Sequence, residues 1–123
     1  MPVYSNSTPP LSLFPGDVGF SFNAEAFPAN GTAGAQFAIP ESAGLPDQGH
    51  AVRWQTIFGT APSLITIVLQ GAAADVDSEY FVIDTSTATA GEARTVIGVR
   101  ARFLRIKMTS STGGTALTAK MLP

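Results

Sequence analysis

The sequence contains no cysteine and only one histidine, and both scarcities narrow the chemistry open to it. Without cysteine there is no disulfide framework, no thiolate zinc site and no cysteine nucleophile. The single histidine, His50, cannot build a multi-histidine metal site, and no serine near it stands in a Gly-x-Ser-x-Gly setting. Glycine-rich phosphate loops and dinucleotide fingerprints are also missing. We therefore expect a protein that is not an enzyme and that holds no metal or cofactor.

Charge is the second scarcity. Charged residues make up 13% of the chain, about half the usual share. The first 52 residues carry four acidic residues and no lysine or arginine, and the remainder carries seven basic and five acidic residues. That basic excess is too small for a nucleic-acid footprint. A surface with so few charges suggests that other subunits cover much of it, so we expect a homo-oligomer.

Long hydrophobic runs are missing as well. The longest apolar stretch is far shorter than the roughly 20 residues that a membrane-spanning helix needs. The first residues, Met1-Pro2-Val3-Tyr4-Ser5, have neither the basic region nor the apolar region of a signal peptide. These features predict a protein that is assembled in the cytoplasm and has neither membrane nor nucleic acid among its partners.

Residues 1–49 are predicted to form an extended arm ahead of a body at 50–123. The arm contains seven of the nine prolines, which remove backbone donors and block helices. Two apolar stretches, 20–22 and 36–39, each predict a short edge strand. The apolar side chains of the arm are expected to pack on the body or on a neighbouring subunit. The residues predicted to bind a partner are Leu13, Phe14, Phe20 and Phe22.

Regular strand patterning begins after His50. Alternation and turn residues predict strands at 51–58, 63–71, 79–84 and 116–122, with a Thr-Gly-Gly-Thr hairpin turn at 112–115. Residues 95–98 are expected to lead into a further strand at 99–109. Val52, Trp54 and Thr56 are expected to share one face. No window keeps a helical period. The predicted fold is all-β: an antiparallel β-sandwich or jelly roll with an extended proline-rich arm.

The central prediction concerns residues 99–109, the longest β-patterned stretch. Apolar residues alternate with basic ones, and the phase of the alternation slips by one residue near Phe103. A β-bulge produces such a slip, so the stretch predicts one long bulged strand with a basic outer face. Arg100, Arg102 and Arg105 on that face are predicted to make polar contacts with a partner, or else to be solvated.

Two further features each have a functional and a structural interpretation. Asp75, Asp77 and Glu79 present three carboxylates at alternate positions, which is compatible with a cation site. The segment lacks the glycine and later glutamate of an EF-hand loop, so a solvated acidic loop is the simpler interpretation. Trp54 offers a ring that can stack on a sugar, but a single mid-strand tryptophan is also typical of a core.

The order of these segments resembles small structural proteins of tailed-phage virions. The resemblance covers residues 50–123: the tryptophan strand, Pro62-Ser63-Leu64-Ile65-Thr66-Ile67-Val68-Leu69-Gln70-Gly71, Asp77-Ser78-Glu79-Tyr80-Phe81-Val82-Ile83, Ala101-Arg102-Phe103-Leu104-Arg105-Ile106 and Thr112-Gly113-Gly114-Thr115. It implies a virion location and a capsid decoration, or cement, protein that binds other virion proteins, above all the major capsid protein. A tail or neck component with the same fold is an alternative.

A second similarity is to discoidin-like, galactose-binding sandwiches. It rests on Ala101-Arg102-Phe103-Leu104-Arg105-Ile106 after an Asp-containing loop and a Phe/Val strand. It implies a carbohydrate-binding module in which Trp54 or Tyr80 is exposed in a groove. The chain lacks the closing cysteines of that family.

Overall fold

A computed structural model describes residues 11–13, 16–39 and 50–123. Within these residues the chain forms nine strands and a single three-residue 3-10 turn, Asp77–Glu79. The strands are β1 Leu11–Ser12, β2 Gly19–Glu25, β3 Thr32–Ala38, β4 His50–Thr60, β5 Leu64–Ala72, β6 Phe81–Ser86, β7 Glu92–Val99, β8 Phe103–Thr112 and β9 Thr115–Leu122.

The strands form two sheets that pack face to face, so the predicted β-sandwich is confirmed. Sheet A has the order β1-β3-β8-β5-β6, and sheet B has the order β2-β9-β4-β7. All pairs are antiparallel except the two-residue β1, which runs parallel to β3. Strands β6 and β7 are therefore the edge strands of the two sheets on the same side of the sandwich.

One hydrophobic core lies between the sheets. Trp54 is 1% exposed and is the largest fully buried side chain. Each of the central strands sends alternate residues inward, as period-2 patterning requires. Other large side chains that are almost fully buried there are Phe22, Ile67, Leu69, Leu104, Ile106, Met108, Leu117 and Met121.

The structure places strands inside the segment predicted to be an arm. β2 pairs with β9 and is an edge strand of sheet B, as predicted for residues 20–22. β3 pairs with β8 inside sheet A. Residues 19–25 and 32–38 are thus integral to the sandwich, and the described residues show no division between arm and body at residue 49. The sequence predicted only short edge strands here, and β3 is not an edge strand because it lies between β1 and β8. Its position could not be predicted locally, because its partners on β8 lie 65 or more residues away in sequence.

The prediction of one strand over residues 99–109 is wrong. Val99 ends β7 in sheet B, and Phe103 begins β8 in sheet A. Between them the chain crosses from one sheet to the other, and the buried Ala101 lies at the crossing. Inward-facing residues on both sides of the crossing preserve an alternating pattern, which is why the sequence resembled a continuous strand. The bulge in β8 lies instead near Thr109, where its pairing with β5 shifts register.

Candidate functional site

A cluster of exposed apolar side chains lies at the edge formed by β6 and β7. A cleft of about 380 Å³ opens between these strands, and its lining includes Phe81, Val82, Val96, Ile97 and Arg100. Ile97 is 80% exposed, Phe81 56% and Val82 53%. We call this feature the edge cleft. Clustered exposed apolar side chains of this kind mark interaction sites more often than scattered single ones do.

Register shifts in both strands shape the edge cleft. The pairing of β6 with β5 shifts between Asp84 and Val82, and the pairing of β7 with β4 shifts between Val96 and Val99. Bulges on edge strands interrupt the row of backbone donors and acceptors that would otherwise recruit another strand. A partner at this edge therefore meets mainly apolar side chains rather than a regular β-ladder.

A polar network closes the same edge next to the cleft. Asp84 on β6 accepts a hydrogen bond from the indole nitrogen of Trp54 (2.9 Å) and two from the Arg94 guanidinium (2.7 and 3.1 Å). Burial raises the pKa of Asp84, but these hydrogen bonds outweigh it and hold the pKa below its usual value. Glu92 extends the network to Arg94 and to the Ser86 hydroxyl. Sheet A and sheet B are thereby joined through two carboxylates, Asp84 and Glu92.

A second polar cluster lies on the outer face of sheet A, and it contains the predicted partner residue Arg105. The Arg105 side chain is 6% exposed; it donates to Asp77 (2.8 Å) and to Gln70 (2.8 Å), and its guanidinium lies 3.9 Å from the centre of the Tyr80 ring. The loop between β5 and β6 folds over the sheet and covers it. The prediction that Arg105 meets a partner or solvent is therefore wrong.

The acidic segment of that loop is engaged by protein groups. Asp75 accepts hydrogen bonds from Tyr80 (2.8 Å) and Gln36 (3.2 Å), while Asp77 pairs with Arg105. Burial and the hydrogen bond to Asp75 raise the pKa of Tyr80. Across the described ranges, no group of three or more histidine, cysteine or acidic residues is arranged to hold a metal ion. Asp75 and Asp77 are therefore held by contacts within the chain.

The apolar residues predicted to bind a partner are mostly in the core. Leu13 is 4% exposed and Phe22 is fully buried, so neither is available to a second protein. Phe20 is half-buried on the outside of sheet B, beneath the Lys120 ammonium. Phe14 lies outside the described residues. Two of the predicted basic residues, Arg100 and Arg102, are exposed near the crossing between the sheets.

The two aromatic residues considered for sugar binding are also occupied. Trp54 is 1% exposed and its indole nitrogen is bound to Asp84. Tyr80 is half-buried, with its hydroxyl bound to Asp75 and its ring against Arg105. Neither ring forms an open platform of the type that stacks on a pyranose.

The sequence interpretation missed the residues that line the edge cleft. One signal was present: Ala93, Thr95 and Ile97 alternate with Arg94 and Val96, which predicts a strand with an uncharged outer side. Reading residues 95–98 as the start of a longer strand concealed it. A lone isoleucine in such a strand does not reveal its exposure, because that depends on which strand lies beside it.

Comparisons add no family to these observations. No helix in the described part of the chain is long and apolar enough to cross a membrane. Neither a scan against protein-family models nor searches of curated proteins and of solved structures found a match to this chain.

Proposed function

We propose that this chain is a structural protein of a tailed-phage virion, and specifically a capsid decoration protein that binds the head lattice through its edge cleft. The observation that carries the proposal is the cluster of Phe81, Val82 and Ile97, which brings three exposed large apolar side chains together at one cleft. The similarity of residues 50–123 to small virion sandwiches supplies the class of partner. A lattice protein acts by binding, so it needs a rigid body and a docking surface.

The edge cleft suits such a contact better than the predicted arm residues do. The network around Asp84 fixes the relative position of β6 and β7, so the cleft does not have to be ordered on binding. Arg100 lines it and is exposed, which provides one cation at an otherwise apolar site. An apolar centre with a charged rim is the usual composition of a protein interface.

Binding to heads tests the proposal directly. Purified chain is mixed with empty heads of the phage whose genome encodes it, and the bound fraction is measured by co-sedimentation. Ile97→Asp places a charge at the centre of the contact and should weaken binding at least tenfold, about 1.4 kcal/mol. Leu64→Asp is the matched control, because Leu64 is 67% exposed at the far end of β5. The proposal would be contradicted if the wild-type chain did not bind heads, or if Ile97→Asp bound them as tightly as wild type. Binding to tails alone would favour the tail alternative.

Truncation of the N-terminus tests whether the first residues contribute to head binding. Removing residues 1–22 deletes β1 and most of β2, including the fully buried Phe22, so it should destabilise the sandwich. Removing residues 1–10 deletes no described strand. We expect that shorter deletion to leave the unfolding midpoint unchanged, so any loss of head binding would then belong to the deleted segment itself.

A further inference from the structure

The central rows on the outer face of sheet B carry two cations and no carboxylate among the described residues. Residues directly opposite each other in a sheet share a face, and the register places Arg53 opposite both Thr95 and Leu122, and Gln55 opposite both Ala93 and Lys120. We call this surface the B face. Arg53 and Lys120 are its cations, and no carboxylate from the described residues lies in these rows. The other large apolar residues on the B face are Phe20, Ile57 and Ile97, the last of which also lines the edge cleft.

The opposite side of the sandwich carries an acidic projection. The 3-10 turn Asp77–Glu79 and the residue before it, Val76, form what we call the acidic tip. Val76 is 52% exposed, the Asp77 side chain is 80% exposed, and Glu79 is exposed. The tip lies over the outer face of sheet A, because Asp77 is paired there with Arg105. It therefore combines an apolar side chain with carboxylates, the complement of the B face.

The acidic tip is held in place before any partner arrives. Asp75 at its base accepts hydrogen bonds from Tyr80 and from Gln36, and Arg105 packs on the Tyr80 ring. A loop fixed in this way loses little conformational entropy on binding. The same contacts explain why this short acidic segment, which has only one apolar residue, has an ordered conformation.

We propose that the acidic tip of one copy docks on the B face of a second copy of this chain. Arg53 and Lys120 lie on neighbouring strands, which are separated by about 4.8 Å, and Gln55 opposite Lys120 is two residues from Arg53. The two cations are close enough to receive Asp77 and Glu79 from one turn. Leu122 beside Arg53 offers apolar area to Val76.

This contact is heterologous, because the two surfaces lie on opposite outer faces of the sandwich. The acidic tip of one copy cannot reach the B face of the same copy. The contact is also not one between identical patches, so a two-fold axis does not generate it. Repetition of the contact gives an open chain of subunits or, if the rotation between copies closes, a ring. The inference concerns contacts between copies and does not depend on binding to a phage head.

The test measures self-association of the pure protein by sedimentation velocity. Wild type is compared with a face variant, Arg53→Glu with Lys120→Glu, and with a tip variant, Val76→Ser with Glu79→Gln, which adds no cation that the face variant could bind. Asp77 is kept in both so that its pair with Arg105 remains. Wild type should form species larger than a dimer at about 0.05 M salt and should associate at least tenfold more weakly at about 0.5 M. Each variant alone should be monomeric.

The mixture of the two variants is the decisive measurement. The face variant keeps its tip and the tip variant keeps its face, so an equimolar mixture should form dimers and nothing larger. Thr115→Glu is the control, because Thr115 is exposed and pairs with Thr60, which lies seven residues or about 23 Å along β4 from Arg53; it should assemble like wild type. Unfolding midpoints confirm that all variants are folded. Monomeric wild type, variants that assemble like wild type, or a mixture that stays monomeric would each overturn the proposal.

Discussion

Asp84 is the residue whose removal most directly tests how the open edge of the sandwich is held. Asp84→Ala deletes the only carboxylate that bonds both Trp54 and Arg94 among the described contacts. The two partners respond differently because their exposure differs. Trp54 is 1% exposed, and its indole N–H would be left buried without an acceptor. The Arg94 side chain is 39% exposed and can turn into solvent.

The expected cost follows from that difference. A buried donor without a partner costs about 1–3 kcal/mol, whereas Arg94 without Asp84 can be solvated. We therefore expect Asp84→Ala to lower the free energy of unfolding by about 1–3 kcal/mol, mostly through Trp54. Arg94→Ala should cost clearly less than Asp84→Ala.

Urea unfolding followed by tryptophan fluorescence measures both values. Trp54 is the only tryptophan in the chain, so the signal comes from the site itself. Circular dichroism of the same samples checks that the transition is global. Equal costs for the two substitutions, or an Asp84→Ala cost below about 0.5 kcal/mol, would refute the reasoning, because surface substitutions commonly fall in that range.

The same residue predicts a dependence on pH. The folded-state pKa of Asp84 lies below its unfolded value, which is about 3.9 for an aspartate. The stabilisation from its charge is therefore fully present above the unfolded pKa and is lost as the pH falls through the folded pKa. The difference in unfolding free energy between wild type and Asp84→Asn should be constant near neutrality and should shrink below pH about 4.

Three further predictions follow from the backbone and from the loop. Ala24 is exposed at φ 52°, so Ala24→Gly should stabilise the protein by about 0.5–1 kcal/mol through relief of left-handed strain, seen as a higher urea midpoint; a lower midpoint would contradict this. Gly91→Ala would place a Cβ 2.5 Å from the Thr56 carbonyl oxygen at φ +82°, and should cost at least about 2 kcal/mol. Gly31→Ala is the matched control, because Gly31 has a similar φ of +86° but an added Cβ would have no atom within 4 Å. If Gly31→Ala costs as much as Gly91→Ala, the steric explanation is ruled out. Arg105→Met should speed hydrogen exchange of residues 73–80, and unchanged exchange would show that the loop does not depend on Arg105.

Several elements could be predicted from the sequence because their signal is local. In β4 the predicted inward residues Val52, Trp54 and Thr56 are all buried. The Gly113-Gly114 turn forms the predicted hairpin, with φ of +74° and +87°. Strand alternation and turn chemistry depend on neighbouring residues, so they can be recognised without knowing the fold.

The elements that were missed depend on contacts distant in sequence. Arg105 alternates with apolar residues and was therefore predicted to contact a partner or solvent. A loop some 30 residues earlier in the chain covers its side chain instead. Phe22 was predicted to bind a partner, but it is fully buried in the core because β2 pairs with β9. The exposure of Ile97 follows from β7 being an edge strand, which is a property of the sheet order. The alternation of residues within a strand does not indicate which other strands it pairs with, so it cannot predict the order of strands in a sheet.

The position of β9 has a consequence for the order in which the protein can fold during synthesis. β9 is the last strand of the chain, yet it lies between β2 and β4 inside sheet B. Until the ribosome has released Leu122, β2 has no neighbour in its sheet and β4 has only β7. Sheet A does not share this delay, since all its strands are complete by Thr112. A nascent chain should therefore display a half-built sandwich with its apolar inner face open to chaperones, and the final strand should close it in a single late step.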